Sequence, residues 1–239
     1  MALRQLSVSD LKAVSETLEG KPPLDVLGWA LEEFSPELAL ACSFGGPTGM
    51  VLLDMLSKLG ALNGKAHVFY LETGFLFPET HALREEVEDR YGFKAAAYSS
   101  DISLEQMAEK HGPELWARDS DLCCEIRKVE PNARALVGMR AWLSGIRRDQ
   151  ASTRRETAIV DWDAKFNLAK VSPLVAWSEA QVWTYIVENR VPYNALHDRG
   201  YPSIGCMPCT RPVKPGEDPR AGRWAGTDKT ECGLHVQPK

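Results

Sequence analysis

The fold is indicated most clearly by one segment, Glu37-Leu-Ala-Leu-Ala-Cys42-Ser-Phe-Gly-Gly-Pro-Thr-Gly49. Residues 38–42 are all apolar, which is typical of a strand covered on both faces in a parallel sheet. Residues 50–59 are mostly apolar and predict a buried helix. Glycines let the backbone approach a ligand closely and a helix N-terminus favours negative charge, so this strand, turn and helix indicate a phosphate cradle. The loop matches neither GxxxxGKS/T nor GxGxxG, so it does not by itself identify the ligand.

The rest of the chain continues the alternation of strands and helices. The pattern predicts strands at 65–71, 93–98 and 141–144, a short edge strand at 170–174, and helices over 9–20, 24–34, 78–91, 104–107, 129–137 and 178–189. This order predicts an α/β protein with a doubly wound, mostly parallel sheet and helices on both faces. The end of the chain is rich in proline, glycine and charge, and it predicts a flexible C-terminal tail. We therefore divide the chain into an N-terminal helical segment, residues 1–36, an α/β domain, residues 37–210, and a tail, residues 211–239.

Composition limits the class of protein and its partners. The hydrophobic content of 44% and the charged content of 26% are ordinary for a soluble globular protein. The net charge of −5 argues against a nucleic-acid partner. No apolar run is long enough to span a membrane, and the N-terminus does not resemble a signal peptide, so we expect a cytoplasmic protein with no membrane partner. The sequence does not decide between a monomer and a homo-oligomer.

Two pairs of cysteines indicate a four-thiolate centre. They are Cys123-Cys124 and Cys206-Met-Pro-Cys209, and in a reducing cytosol metal binding is a better interpretation of them than disulfides. Cys206 and Cys209 have the spacing of zinc ligands. Cys123 and Cys124 do not, because the side chains of adjacent residues on a helix diverge by about 100°. An iron–sulfur cluster offers several irons and so accepts adjacent cysteines more readily than a single zinc ion does. We favour the cluster, with structural zinc and free buried thiols as alternatives.

The basic residues are bunched in an otherwise acidic chain. The groups are Arg127 and Lys128; Arg147 and Arg148; Arg154 and Arg155; and Arg211, Lys214, Arg220 and Arg223. Such groups can be solvated surface, but several of these adjoin cysteines or glycine turns. We expect them to line a pocket for a small polyanion. Glu72-Thr73-Gly74 falls at the predicted carboxyl end of a strand, where open α/β sheets bind ligands.

Six motifs together resemble the assimilatory sulfonucleotide reductases. They are Ser43-Phe-Gly-Gly46, Glu72-Thr-Gly-Phe-Leu-Phe-Pro-Glu-Thr80, Cys123-Cys-Glu-Ile-Arg-Lys128, Gly145-Ile-Arg-Arg-Asp-Gln150 with Thr153-Arg154, Cys206-Met-Pro-Cys209, and Glu231-Cys-Gly-Leu-His235. The resemblance implies an adenine-nucleotide α-hydrolase-like fold, a [4Fe–4S] cluster, and reduction of adenylyl sulfate to sulfite and AMP in sulfate assimilation and cysteine biosynthesis. The chain departs from the family at Pro47-Thr48-Gly49, where relatives often carry an acidic pair.

The resemblance also implies roles for particular residues. Cys123, Cys124, Cys206 and Cys209 would bind the cluster, Cys232 would be the nucleophile, and Lys128, Arg220 and Arg223 would contact the substrate. From the strand ends and basic groups we add Ser43, Gly45, Thr73, Gly74, Arg147, Arg148 and Arg154 as expected substrate contacts. His235 is a further candidate for contact with substrate or partner, although a terminal histidine is as often a bystander.

The chemistry of the substrate explains why these residue types suffice. A thiolate that attacks the sulfur of adenylyl sulfate expels AMP, which is already a good leaving group, so the step needs charge stabilisation rather than a general acid. The product would be a Cys232 S-sulfonate, and a second thiol must displace sulfite from it. The cluster uses four cysteines and Cys42 lies in a predicted buried strand, so the second thiol must come from outside. Thioredoxin or a similar dithiol protein is the implied partner.

Other functions remain open from the sequence. The nearest alternative substrate is phosphoadenylyl sulfate, although relatives that use it usually lack the two cysteine pairs. A PP-loop enzyme that uses ATP to modify RNA is a second alternative, and a zinc-stabilised binding module is a third. For Cys232 itself, the alternative is an idle thiol in a terminal segment.

Overall fold

The structure is a computed structural model that describes residues 6–227, 229 and 231–234, so His235 lies outside the described residues. Nine α-helices are formed in the described part of the chain: α1 (Val8–Leu18), α2 (Pro23–Phe34), α3 (Pro47–Lys58), α4 (Pro78–Tyr91), α5 (Leu104–His111), α6 (Leu115–Arg118), α7 (Ser120–Cys124), α8 (Glu130–Ala135) and α9 (Glu179–Asn189). The strands there are β1 (Leu38–Ala41), β2 (His67–Glu72), β3 (Ala96–Ser99), β4 (Ala141–Leu143), β5 (Val160–Asp163) and β6 (Leu168–Val171). Within these described residues, no helix is both long and apolar enough to cross a membrane.

The strands form one sheet in the order β3-β2-β1-β4-β6-β5. Strand β1 pairs in parallel with β2 and β4, and Leu40 lies opposite both Val68 and Leu143. The predicted doubly wound, mostly parallel sheet is therefore confirmed. Neighbouring strands on both sides of β1 run the same way, so their carboxyl ends meet at one edge, where such sheets bind ligands.

One strand prediction is wrong. The segment predicted as an edge strand at 170–174 is observed as β6, and it lies inside the sheet, between β4 and β5. The edge strand on this side of the sheet is β5, which pairs antiparallel with β6. Its sequence, Val160-Asp-Trp-Asp163, has acidic residues at alternate positions and spans only four residues, so its hydrophobic signal is weak.

Both faces of the sheet are buried. On one face Leu38 and Leu40 pack with residues of α1, α2, α3, α4 and α9 in the larger core cluster. On the other face Ala39, Phe69 and Trp142 pack against Ala135 of α8. Helices α1 and α2 thus share the core on one face of the sheet, and α8 covers the other face.

The glycine-rich loop after β1 is held in an uncommon backbone conformation. Phe44 has a φ of +51°, a left-handed value that costs a non-glycine residue free energy, yet its ring is 1% exposed and packs edge-on against Tyr70. The buried Asn194 amide donates to the Phe44 carbonyl at 3.1 Å and to Thr80 Oγ1 at 3.2 Å. His197 Nε2 donates to the Gly45 carbonyl at 3.0 Å. These bonds from a distant segment fix the predicted phosphate cradle.

We predict that Asn194→Ala destabilises the protein and its cradle loop. Asn194 Oδ1 also accepts from the Leu196 amide, so the change removes three buried hydrogen bonds. Urea denaturation should show an unfolding free energy lower by about 2 kcal/mol. The control is Val187→Ala, because this side chain is 74% exposed and should change little. A variant at position 194 as stable as the parent would contradict the anchoring role.

Candidate active site

The carboxyl ends of β1, β2 and β4 open into one cavity of about 330 Å³. Nine of the residues predicted for the site line it: Ser43, Gly45, Thr73, Lys128, Arg147, Arg154, Arg220, Arg223 and Cys232. The N-terminus of α3 also borders it through Gly46, Pro47 and Thr48. The cavity therefore joins the predicted phosphate cradle to basic residues that are far apart in the sequence.

Two predicted contacts, Gly74 and Arg148, are not among the residues that line this cavity. The Gly74 amide donates to Glu72 Oε1 at 2.9 Å, and a Cβ at Gly74 would lie 3.0 Å from Arg127 Nη2. Arg148 turns away and forms a bidentate pair with Glu19 at 2.7 and 2.9 Å. Of the adjacent residues Arg147 and Arg148, Arg147 lines the cavity and Arg148 does not.

The vicinal cysteines lie where the helix changes its winding. Helix α7 ends at Cys124, a π-helical turn spans Glu125–Val129, and α8 continues the axis. A π turn is wider than an α turn and is common at functional sites. It brings Arg127 onto the Thr73 and Ile102 carbonyls, at 2.8 and 2.7 Å, while Lys128 lines the cavity. The backbone change next to the adjacent thiols is one that the sequence alone does not show.

A second, smaller cavity is lined by all four cysteines of the predicted cluster site. Cys123 and Cys124 reach it from α7, and Cys206 and Cys209 from the short turn after Gly205. That turn is tied to the loop after β2 by the Met207 amide, which donates to the Phe75 carbonyl at 2.8 Å. The Cys206 thiol lies 3.4 Å from Thr73 Oγ1, to which it donates.

The donor set of this second cavity fits an iron–sulfur cluster. Four thiols face it, together with Lys128 and Arg127, and all six cysteines of the chain are free of disulfides. Thiolates are the ligands of such clusters, and nearby cations offset the negative charge of the assembly. Among the described residues, no group of three or more His, Cys, Asp or Glu side chains converges closely enough to hold one metal ion.

The start of the tail folds back onto the turn that holds Cys206 and Cys209. Thr210 forms an antiparallel bridge with Arg223, and the Trp224 amide donates to the Cys209 carbonyl at 3.0 Å. A Cβ at Gly205 would lie 2.3 Å from Arg223 Nη2, so glycine leaves the space that the guanidinium occupies. Arg223 also stacks 4.4 Å from the Trp224 ring centre. These contacts place the tail's arginines in the main cavity although the tail has no regular secondary structure there.

The last described residues of the tail cover the cavity. Glu231 forms a bidentate pair with Arg154, at 2.9 and 2.7 Å, and also meets Arg220 Nη2 at 3.3 Å. Lys165 Nζ donates to the Gly233 carbonyl at 2.9 Å, and a Cβ at Gly233 would lie 3.2 Å from Val129 Cγ2. Cys232, between these two anchored residues, is consequently held inside the cavity.

The surroundings of Cys232 favour a thiolate. A hydrogen bond from the Cys124 thiol is the largest influence and lowers the pKa of Cys232, burial opposes it, and Lys128 and Arg223 lower it further. For Lys128, burial would lower the pKa, but the neighbouring Cys206, Cys232 and Cys124 raise it on balance, so the ammonium keeps its charge. An ionised sulfur among fixed cations can attack an electrophile whose leaving group is an anion.

Several residues that line the cavity were not predicted from the sequence as site residues. They are Thr48, Asn132, Ser144, Gln150 and Glu231. Thr48 lies at the start of α3, and its Oγ1 accepts from Arg147 Nη1 at 2.7 Å. The Asn132 amide is fully buried, and neither of its polar atoms has a partner among the residues that the structure describes, so it offers hydrogen bonds to a bound molecule. Asn132 lies four residues after Lys128, a spacing that places two helical residues on one face.

Comparison with known proteins gives a consistent family. The family model described as phosphoadenosine phosphosulfate reductase domain matches residues 37–212. The chain is 47% identical over 236 residues to the adenosine 5'-phosphosulfate reductase of Shouchella clausii (strain KSM-K16), a match that covers 98% of this chain and 96% of the relative. It is 50% identical over 215 residues to adenosine 5'-phosphosulfate reductase 2 of Bacillus subtilis (strain 168), covering 90% and 89%.

A solved structure agrees with the fold. The phosphoadenylyl-sulfate (PAPS) reductase from Candida auris, in a phosphate complex, matches with a TM-score of 0.75 and 35% sequence identity. The match covers 87% of this chain and 99% of that chain. The fold expected from the six motifs is thereby confirmed.

Proposed function

The chain belongs to the phosphoadenosine phosphosulfate reductase domain family, and from that premise we propose that it reduces adenylyl sulfate to sulfite and AMP, with Cys232 as the nucleophile. Adenylyl sulfate is the adenosine 5'-phosphosulfate for which both relatives are named, which favours it over the 3'-phosphorylated nucleotide. The observation that carries the proposal is the position of Cys232 in one cavity with Lys128, Arg154, Arg220 and Arg223.

The substrate would lie along the edge of the sheet with its nucleotide on the loop after β1. Gly45, the N-terminus of α3 and Thr73 border that part of the cavity. A helix N-terminus and backbone amides suit phosphate, and the basic residues suit the phosphosulfate. The phosphosulfate would therefore point toward Lys128 and the tail arginines, where Cys232 lies.

The first chemical step would be attack of the Cys232 thiolate on sulfur. The new bond joins Cys232 Sγ to the sulfur of the sulfate, and the bond from that sulfur to the phosphate oxygen breaks. AMP leaves with the electron pair, and a Cys232 S-sulfonate remains. Lys128, Arg220 and Arg223 would stabilise the negative charge that builds up on the oxygens in the transition state.

The second step would need a dithiol protein such as thioredoxin. One of its thiolates attacks Cys232 Sγ and expels sulfite, and its second thiol then attacks the mixed disulfide, which restores Cys232 and leaves the partner oxidised. Each catalytic cycle thus consumes two thiols and yields AMP, sulfite and one disulfide. Free thiols of this kind persist in a reducing compartment, which supports the cytoplasm as the site of the reaction.

Cys123, Cys124, Cys206 and Cys209 would hold a [4Fe–4S] cluster. When bound, it would join the α7 and Cys206 segments and place negative charge beside Lys128. Both chemical steps are two-electron displacements at sulfur, so Lys128 and Cys232 can perform them without electron transfer from the cluster. An iron-bound Cys124 carries no proton to share with Cys232, and Lys128 and Arg223 would then be the groups that keep the nucleophile ionised.

We predict that Cys232→Ser abolishes formation of the protein adduct. Incubated with sulfur-labelled adenylyl sulfate and no thioredoxin, the parent protein should gain one label per chain on the peptide that contains Cys232. The variant should gain none, because serine is not ionised at neutral pH. Cys42→Ser is the matched control, since Cys42 is buried and its pKa of about 12 keeps it protonated.

Label on the Cys232→Ser protein would show that another residue is the nucleophile. Phosphoadenylyl sulfate, assayed beside the unphosphorylated nucleotide, should label the parent protein far less. The reverse preference would assign the enzyme to the phosphorylated substrate.

We predict that anaerobically purified protein contains iron and sulfide and is brown. Cys209→Ser should lose most of the iron, because it removes one of four ligands, whereas Cys42→Ala should keep it. Metal analysis with the visible absorption spectrum measures both. Colourless parent protein that contains zinc would contradict the cluster.

A further inference from the structure

We propose that the tail carries a built-in mimic of the substrate: the Glu231 carboxylate occupies the anion subsite formed by Arg154 and Arg220, and the phosphate group of the nucleotide must displace it. The identity of the displaced anion rests on the function proposed above. Glu231 is thus a positioning residue that competes with the nucleotide and holds the closed tail between catalytic cycles.

The contacts of Glu231 are those of a bound anion. Arg154 donates to both carboxylate oxygens, at 2.9 and 2.7 Å, and Arg220 approaches one of them at 3.3 Å. The side chains are shielded from solvent, with 11% of Arg154 and 13% of Glu231 exposed. A bidentate pair with little solvent is stronger than an ordinary surface pair. The same fork of donors matches a phosphate group.

The neighbouring Cys232 lines the same cavity as Lys128 and Arg223. Adjacent residues of the tail therefore place a carboxylate on one pair of cations and a sulfur atom in the cavity that a second pair lines. Adenylyl sulfate likewise carries two anionic groups side by side, the phosphate and the sulfate. The Glu231 carboxylate corresponds to the phosphate in this comparison.

The Glu231 carboxylate and the nucleotide phosphate cannot bind the same arginines without a cost in binding free energy. Glu231 and a nucleotide phosphate would repel each other at the short distances seen here, since the shielded site screens charge poorly. Binding of the nucleotide must therefore release Glu231 from Arg154. The released tail gains the freedom that Cys232 needs to approach sulfur and then to meet an external thiol. When AMP leaves, the carboxylate can return, which favours release of the product.

The test is the change Glu231→Gln in the cluster-loaded protein, with AMP as the probe. The variant keeps the shape of the side chain and removes its charge, so AMP should bind about fivefold to tenfold more tightly by calorimetry, as expected for loss of a competing ion pair of roughly 1 kcal/mol. The KM for adenylyl sulfate should fall by a similar factor. The matched control is Glu217→Gln, because Glu217 pairs with Arg211 in the same tail but outside the cavity.

Alkylation of Cys232 gives a second readout. Mass spectrometry of the iodoacetamide adduct should show slow reaction in the parent protein, faster reaction when AMP is added, and fast reaction in Glu231→Gln without AMP. Equal or weaker AMP binding in the variant, with unchanged alkylation, would overturn the competition. AMP that fails to bind the parent protein would overturn the proposed function itself, together with the mimic.

Discussion

Mutual repulsion among half-buried cations limits how the site can be built. Lys128, Arg154, Arg220 and Arg223 line one cavity, and removing such charges from water is costly unless anions lie close to them. The chain supplies an anion from its own tail, the Glu231 carboxylate, which pairs with Arg154 and Arg220. The cavity is therefore built to hold negative charge and is suited to a substrate with two adjacent anionic groups. The neighbouring Cys232 lies in the same cavity, beside the Glu231 that pairs with Arg154 and Arg220.

The fold brings these charges together from distant parts of the chain. Parallel pairing of β1 with β2 and β4 aligns the strand ends, and the π turn after Cys124 turns Arg127 onto the backbone while Lys128 lines the cavity. The bridge between Thr210 and Arg223 returns the tail to the same place. The proposed cluster would join the last two of these segments through its four cysteines. The proposed role of the cluster is to fix the distance between Lys128 and the tail, so that the charges of the site stay in place.

The sequence alone was sufficient to predict local structure where a short pattern of residues determines it. The apolar strand before Ser43 and the capping boxes at Ser103 and Ser178 are local signals, and the structure forms each as predicted. The two cysteine pairs are also local signals, and they line one small cavity. Long-range partners carry no such signal. The pairing of Arg148 with Glu19 and of Arg154 with Glu231 joins residues about one third to one half of the chain apart, so only the folded chain shows which arginine faces the cavity. The π turn could not be predicted from the sequence either, because no residue type specifies it.

In the proposed mechanism, a tail thiol held among fixed cations takes the sulfur directly from the nucleotide. A rapid-quench experiment with cluster-loaded protein, excess adenylyl sulfate and no thiol measures this step. We expect a burst of one AMP per chain, no free sulfite, and release of an equal amount of sulfite once thioredoxin or another dithiol is added. Sulfite that appears with AMP before any thiol is present would rule out this mechanism, because no covalent sulfur would then be held on the enzyme.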